Sequence, residues 1–365
     1  MFIGHFGEIL TVSKGPILVT GGAGFIGSNF ARHAILSGYR VITLDALTYA
    51  GNLANLEEIK AHPNHKFIEG SITDGRLIRE LMDIHQPAAI LNFAAESHVD
   101  RSIDGPGDFI KSNVFGVYTL LEAARNFLNR SDVSKRSSFR FLQISTDEVY
   151  GSIKSGFAKE TKLREPSSPY AASKASADNL VQAWHRTYQL PILITNCSNN
   201  YGPFQFPEKL IPLMIIKAIR GEVLPIYGDG RHKREWLHVE DYCAALEIVL
   251  GKGSIGETYN IGSGEIRTNL EVVNEICSVL DQISPRTNNT TYKDLISFTE
   301  DRPGHDARYA LDSTRAQSEL GWASKISFPA GLKRTVKWYL ENLSWVYDSR
   351  PHYKGGRLGD PRNLR

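Results

Sequence analysis

PILVTGGAGFIGSNFARHAIL, Pro16 to Leu36, decides the fold. The run PILVT is short, apolar and β-branched, the texture of a strand buried on both faces of a parallel sheet. GGAGFIGS follows at once, and then a helical pattern through about Leu36. Gly21, Gly24 and Gly27 thus stand as G-x-x-G-x-x-G between a strand and a helix. Such a junction needs glycine for three reasons: an unusual φ in the tight turn, close approach of backbone to a pyrophosphate, and close packing of helix on strand. The helix N-terminus then turns its unpaired N–H groups toward phosphate. A bare Gly-rich turn also fits the pattern, and the flanking strand and helix are what give it weight.

Outward from there, RVITL (Arg40–Leu44) reads as a second strand that ends in Asp45. An acid at that distance can bond the adenosine ribose hydroxyls and would repel a 2′-phosphate, so NAD is expected over NADP. Further strands are expected at Lys66–Glu69, Ala89–Phe93, Phe139–Ser145 and Ile192–Thr195, with helices between them, such as Phe109–Asn126 and Tyr170–Tyr188. Strands alternating with helices predict an α/β fold, a Rossmann-type doubly wound parallel sheet. After Gly202 the texture changes: prolines and glycines recur, and helical stretches fall near 209–220, 239–250 and 269–280. We expect an extension over 1–15, an NAD-binding domain over 16–200 to which later segments return, a smaller mixed α/β domain over 201–347, and a basic tail over 348–365. A cleft is expected where the two architectures meet.

The chain has 365 residues, 41% hydrophobic and 22% charged, enough to bury a sizeable core. A formal net charge of +2 gives no reason to expect nucleic acid or a membrane surface as partner. The short run Arg231-His232-Lys233-Arg234 is too isolated to change that. No run of apolar residues reaches membrane-spanning length, and Met1–Gly15 makes a poor signal peptide. Cys197, Cys243 and Cys277 are odd in number and far apart, which fits small buried hydrophobes in a reducing cytoplasm and predicts no metal site.

Tyr170 and Lys174 form Y-x-x-x-K at the start of a helical stretch. Positions i and i+4 share a helix face, so phenol and ammonium are expected side by side, with the charge lowering the tyrosine pKa. A phenolate can take an alcohol proton while hydride leaves for a nicotinamide.

GGAGFIG, NFAAESH (Asn92–His98), STDEVYG (Ser145–Gly151) and YAASK resemble the extended short-chain dehydrogenase/reductase family, in its nucleotide-sugar branch. More closely, SHVDRSIDGP (Ser97–Pro106), CSNNYGP (Cys197–Pro203), FPEKLIPL (Phe206–Leu213), PIYGDG (Pro225–Gly230) and DRPGHD (Asp301–Asp306) resemble the dTDP-glucose 4,6-dehydratases. The resemblance runs from Pro16 to about Tyr347. It implies an NAD-dependent hydro-lyase acting on a nucleotide sugar. Thr146-Asp147-Glu148 discriminates within the branch: an epimerase only takes hydride and returns it, whereas expelling water needs an acid and a base. The resemblance makes Asp147 the acid and Glu148 the base. Side chains alternate along a strand, so both acids can face one cleft only from a turn; the strand from Phe139 is expected to end by about Thr146. Epimerase, decarboxylase and UDP-glucose dehydratase remain the alternative readings, with a non-catalytic NAD-sensing module as a different class.

The resemblance also implies contacts. Gly21, Gly24, Phe25, Ile26 and Gly27 would line the pyrophosphate, and Asp45, Ala46, Leu47 and Thr48 the adenosine. Ser71, Ile72, Ala94, Ala95, Glu96, Ser97, Ser112, Tyr170, Lys174 and Asn200 would complete the NAD site. His98, Thr146, Asn199, Lys209, Leu210, Pro225, Tyr227, Arg234, Asn269, Arg302 and His305 would hold the sugar nucleotide. Two positions depart from the family pattern: Ser71 where an aspartate is usual, and Ala307 where an arginine is common. The helices near Phe109–Asn126 and Tyr170–Tyr188 carry Leu120, Leu121, Leu180, Val181 and Trp184, apolar on more than one face. The resemblance implies a homodimer joined through a four-helix bundle of these helices.

Overall fold

The computed structural model describes residues 15–287, 289–301 and 304–348. The extension before Gly15, the tail from Ser349 and Arg302 lie outside the described residues.

Among the described residues twelve strands run in chain order: β1 (Ile17–Thr20), β2 (Val41–Asp45), β3 (His65–Glu69), β4 (Ala89–Asn92), β5 (Arg140–Thr146), β6 (Ile192–Cys197), β7 (Asn199–Tyr201), β8 (Leu224–Tyr227), β9 (Lys233–His238), β10 (Thr258–Ile261), β11 (Ile266–Thr268) and β12 (Ile296–Thr299). Seven of them form one parallel sheet in the order β10-β6-β5-β4-β1-β2-β3. Successive side chains of a strand serve opposite faces, and β1 shows the consequence: Ile17 and Val19 join one hydrophobic cluster, Leu18 the other. Both clusters are roofed by helices, which is why β1 is buried along its whole length. The chain reverses direction across the sheet between β1 and β4, the switch point where open α/β sheets leave a crevice. There Thr20 Oγ1 donates to Asn92 Oδ1 at 2.6 Å and Asn92 Nδ2 to Gln143 Oε1 at 2.9 Å, a buried polar chain across three central strands.

β5 ends at Thr146, and Asp147–Tyr150 form a single 3₁₀ turn, as the alternation argument requires. β10 lies beyond residue 200 yet completes the main sheet at its β6 edge. The remaining strands are short: β11-β9-β7 form one small sheet and β12-β8 another. They pack with the helices Leu210–Ile219, Asn269–Ile283 and Phe328–Glu341 around a third cluster that includes Ile215, Val273 and Leu332.

The expected helix over Phe109–Asn126 is interrupted. Pro106–Phe109 is one α-turn, Ile110–Gly116 is a π-helix, and Val117–Asn129 is α-helical again. The wider turn rotates the face that follows. Leu120 and Leu121, which follow it, are fully buried against the sheet, as is Val181 on the neighbouring helix Pro169–Tyr188. The outward apolar face consists instead of Ile110, Phe115, Tyr118 and Tyr188, with Leu180 and Trp184 half-buried beside them.

Candidate active site

Gly21 adopts φ +67°, and a Cβ there would sit 2.6 Å from the backbone N of Ala94. A Cβ on Gly27 would sit 2.2 Å from Gly21 O, so this helix can approach the turn only without a side chain. Gly24 caps the helix Phe25–Leu36 with no side-chain hydrogen bond and no acid in the first turn, leaving N–H groups directed into the crevice. Asp45, buried at the end of β2, accepts from Ala23 N at 2.9 Å and Leu47 N at 2.8 Å. Burial raises its carboxyl above the ordinary range, and these backbone donors pull it back.

The crevice continues as one cleft of about 290 Å³. Its lining joins Gly21, Gly24, Phe25, Ile26, Asp45, Ala46, Thr48, Ser71, Ile72, Ala94, Ala95, Glu96, Ser97 and Ser112 to Thr146, Asp147, Glu148, Tyr170, Lys174, Asn199, Asn200 and Lys209. Gly27 and Leu47 lie behind this wall, acting through packing and through the backbone bond to Asp45. Five polar atoms at the cleft find no hydrogen-bond partner among the described residues: Asp147 Oδ2, Ser198 Oγ, Asn199 Oδ1, Asn200 Oδ1 and Gln205 Oε1. A glycine cradle, a helix N-terminus, a buried acid beyond β2 and orphaned acceptors form a donor and acceptor set that fits a dinucleotide.

The catalytic candidates meet at the end of β5. Thr146 Oγ1 donates to Asp147 Oδ1 at 3.2 Å and accepts from Glu148 N at 3.3 Å. Burial drives the Asp147 carboxyl well above the usual carboxylate range, and the charges of Glu148 and Glu235 push the same way against Arg234. Asp147 is therefore suited to carry a proton, while Glu148 stands half-buried beside it. Ser168 Oγ caps the helix Pro169–Tyr188 by accepting from Ala171 N at 3.1 Å, which fixes Tyr170 in its first turn. Lys174 Nζ donates to Ile144 O at 2.6 Å rather than acting on the phenol. The expectation of a lowered tyrosine pKa is corrected here: burial raises the Tyr170 phenol well above its ordinary value, Glu148 and Cys197 add to it, and a hydrogen bond with Thr146 opposes it. Burial also lowers the Lys174 ammonium, which Asp178 partly restores.

The other expected substrate contacts lie outside this lining, in an adjoining cluster. His232 and His305 stack with ring centroids 3.8 Å apart, and His305 Nδ1 lies 2.6 Å from Asp301 Oδ1. Tyr227 meets the His305 ring edge-on at 6.3 Å and donates to Asp100 Oδ2 at 3.3 Å. Asn269 N donates to His232 O, and Arg234 donates to Asp306 O while lying over the Tyr309 ring. Pro225 sits in β8 next to Tyr227, Leu210 opens its helix after Lys209, and His98 approaches Glu208 at 3.9 Å. Sequence reasoning passed over Gln205, Glu208 and Ser198, which also line the cleft. FPEKLIPL and CSNNYGP contained two of them, but nothing local marks a glutamate as buried.

The profile of the GDP-mannose 4,6 dehydratase family matches residues 18–335. A dTDP-glucose 4,6-dehydratase of Xanthomonas campestris pv. campestris (strain B100) is 54% identical over 330 residues, 90% of this chain and 94% of the relative. The chain belongs to the dTDP-glucose 4,6-dehydratase family. The dTDP-glucose 4,6-dehydratase of Streptomyces venezuelae, solved with NAD bound, superposes with a TM-score of 0.83 at 45% identity, covering 92% of this chain and 100% of that one. A UDP-glucose 4-epimerase of Thermotoga maritima is similar in fold at a TM-score of 0.79 and 30% identity, covering 90% of this chain and 99% of that one. The chain and that epimerase thus share one scaffold.

Proposed function

We propose that this chain is an NAD-dependent hydro-lyase that converts dTDP-glucose to dTDP-4-keto-6-deoxyglucose and water. The observation that carries the reading is the turn at the end of β5, where a buried, proton-retaining Asp147 and a half-buried Glu148 share one cleft with Tyr170 and a dinucleotide cradle. When bound, NAD supplies a hydride acceptor and, in its oxidised form, a positive charge. Tyr170 takes the proton of the sugar 4-hydroxyl as C4 is oxidised; Lys174, one helical turn away, and the positive charge of bound NAD would offset the burial that otherwise holds the phenol protonated. The new ketone acidifies the C5 hydrogen. Glu148 removes that proton, and Asp147 gives its own to the departing 6-hydroxyl. Thr146 orients both acids through its hydroxyl. The hydride would return to C6 as Glu148 gives its proton back to C5, which would leave the cofactor oxidised at the end of each cycle.

The phosphates and base of the substrate fall to Lys209, Leu210, Pro225, Tyr227, Arg234, Asn269 and His305, with Asn199 and His98 near the sugar. Residues 16–200 with β10 form the cofactor half, and most of 201–347 the substrate half. Two copies pair through the outward aromatic face, where Phe115, Tyr118, Trp184 and Tyr188 follow one another at centroid distances of 5.6–5.9 Å. A continuous apolar face of that kind favours burial against a second copy. Light scattering tests this: Trp184→Glu is expected to turn a dimer into monomers, and a monomeric unsubstituted chain would refute the pairing. Among the described residues no helix is long and apolar enough to cross a membrane. Three buried free cysteines support a reducing, cytoplasmic home.

The activity is tested by incubation with dTDP-glucose and UDP-glucose side by side. The expected result is the strong alkaline absorbance of a 4-keto-6-deoxy sugar from dTDP-glucose, without accumulation of NADH. Stoichiometric NADH, or an epimerised hexose as the product, would refute the reading.

A further inference from the structure

We propose that residues 205–209 are a strap over the dinucleotide side of the cleft, and that Glu208 is the positioning residue that fastens it. Phe206, Glu208 and Lys209 line the same cleft as Gly21, Asp45 and Thr48, although they follow β7 and belong to the far half of the chain. The Glu208 side chain is only 1% exposed. A carboxylate that deep is kept ionised only by partners. Arg101 Nε lies 3.4 Å from Glu208 Oε2, and His98 Nε2 lies 3.9 Å from the same oxygen. Burial pushes the Glu208 carboxyl up, and Lys209 and Arg101 pull it back.

Arg101 does more than neutralise the acid. Its guanidinium lies 4.0 Å over the Tyr49 ring, and Tyr49 meets Phe206 edge-on at 5.8 Å. Tyr49 belongs to the loop that leaves β2 just after Asp45, and Arg101 to the helix Val99–Asp104 beyond β4. Lys209 Nζ donates to Ser97 O at 2.7 Å, a second tie to the chain leaving β4. One short segment thus grips both loops that flank the glycine cradle. Arg101 is 34% exposed, so the Arg101–Glu208 pair is the part of this closure that can open toward water.

The inference rests on the proposed reading in one respect: a cofactor that ends each cycle oxidised has no need to leave, and a strap that slows its escape then serves turnover. The test is cofactor retention. The unsubstituted chain, Glu208→Gln and Arg101→Gln are purified identically, passed repeatedly through gel filtration, and assayed for bound NAD. Each variant is expected to lose NAD about tenfold faster than the unsubstituted chain, because breaking one partner of a buried ion pair acts mainly on the dissociation rate. Dehydratase activity of the variants should decay on dilution and return when NAD is added. Arg101→Gln changes a partly exposed group, so it decides the matter where Glu208→Gln fails to fold. Retention in both variants equal to that of the unsubstituted chain overturns the strap, and so does a loss of activity that added NAD does not restore. Because bound NAD is measured directly, the strap is supported or refuted even where dTDP-glucose is not turned over.

Discussion

The floor and the wall of the cleft are built on different principles. The floor, from Gly21 to Asp45, acts through backbone N–H groups and the absence of side chains, and its parts are near neighbours in sequence. The wall, from Thr146 to Lys174 and on to Asn200, acts through side-chain chemistry, and its parts come from β5, a helix and the β6–β7 junction. The floor therefore tolerates nothing larger than hydrogen at its closest contacts. The wall tolerates substitutions of the same shape as far as folding goes, but not as far as reaction goes. Substitutions that separate folding, cofactor binding and chemistry can break or sharpen this contrast.

The largest effect is expected on the wall. Tyr170→Phe removes the proton acceptor while keeping the ring, so kcat should fall about 10³-fold or more. No NADH should appear when substrate is added, and NAD binding should be retained. Glu148→Gln should cost about 10²–10³-fold in kcat but leave C4 oxidation intact. Bound NADH should then accumulate, visible by its absorbance and fluorescence. Loss of activity without NADH in both variants would contradict this division of roles.

On the floor, Gly27→Ala pushes a methyl to 2.2 Å from Gly21 O. It should destabilise the fold by about 1–3 kcal/mol through overpacking, with loss of NAD binding as well. A stable Gly27→Ala protein with normal NAD affinity would erase the contrast.

The smallest effect is a gain. The folded-state pKa of Asp147 is raised, so its protonated form is favoured in the fold. The site then carries no penalty below the unfolded carboxylate pKa of about 3.9, and a growing one as pH rises toward the folded value. Asp147→Asn should therefore stabilise the protein by about 1 kcal/mol at neutral pH, with the gain fading as pH falls toward 4. Thermal melts across pH check this. A variant less stable than the parent at pH 7 would show that Asp147 is held ionised. The same variant should be a poor dehydratase, a case of stability given up for chemistry.

The same contrast explains what could be read from the sequence. Asp45, the glycine motif and the end of β5 at Thr146 rest on local rules of turn, alternation and spacing, and these were legible. β8 and β12 were not: each is four residues long, β8 contains Pro225, and they pair across about seventy positions of sequence. A return of later segments to the main sheet was expected, but that β10 is the returning strand is seen only from its edge place beside β6. That the two helices are apolar on more than one face was legible, but which residues turn outward was not: Leu120, Leu121 and Val181 are buried in the core while Ile110, Phe115, Tyr118 and Tyr188 are exposed, a partition set by tertiary packing. The Tyr170 phenol was expected low from Lys174 alone; its burial and the nearby Glu148 are tertiary facts that i, i+4 spacing does not contain.

The central claim is that hydride leaves C4 and returns to C6 within one closed cycle. Its most direct test is turnover of dTDP-glucose deuterated at C4, with the product read by mass spectrometry and NMR. The account predicts deuterium retained in the product at C6, with no NADH released. Deuterium found on free NADH, or back at C4 of an epimerised hexose, would contradict it.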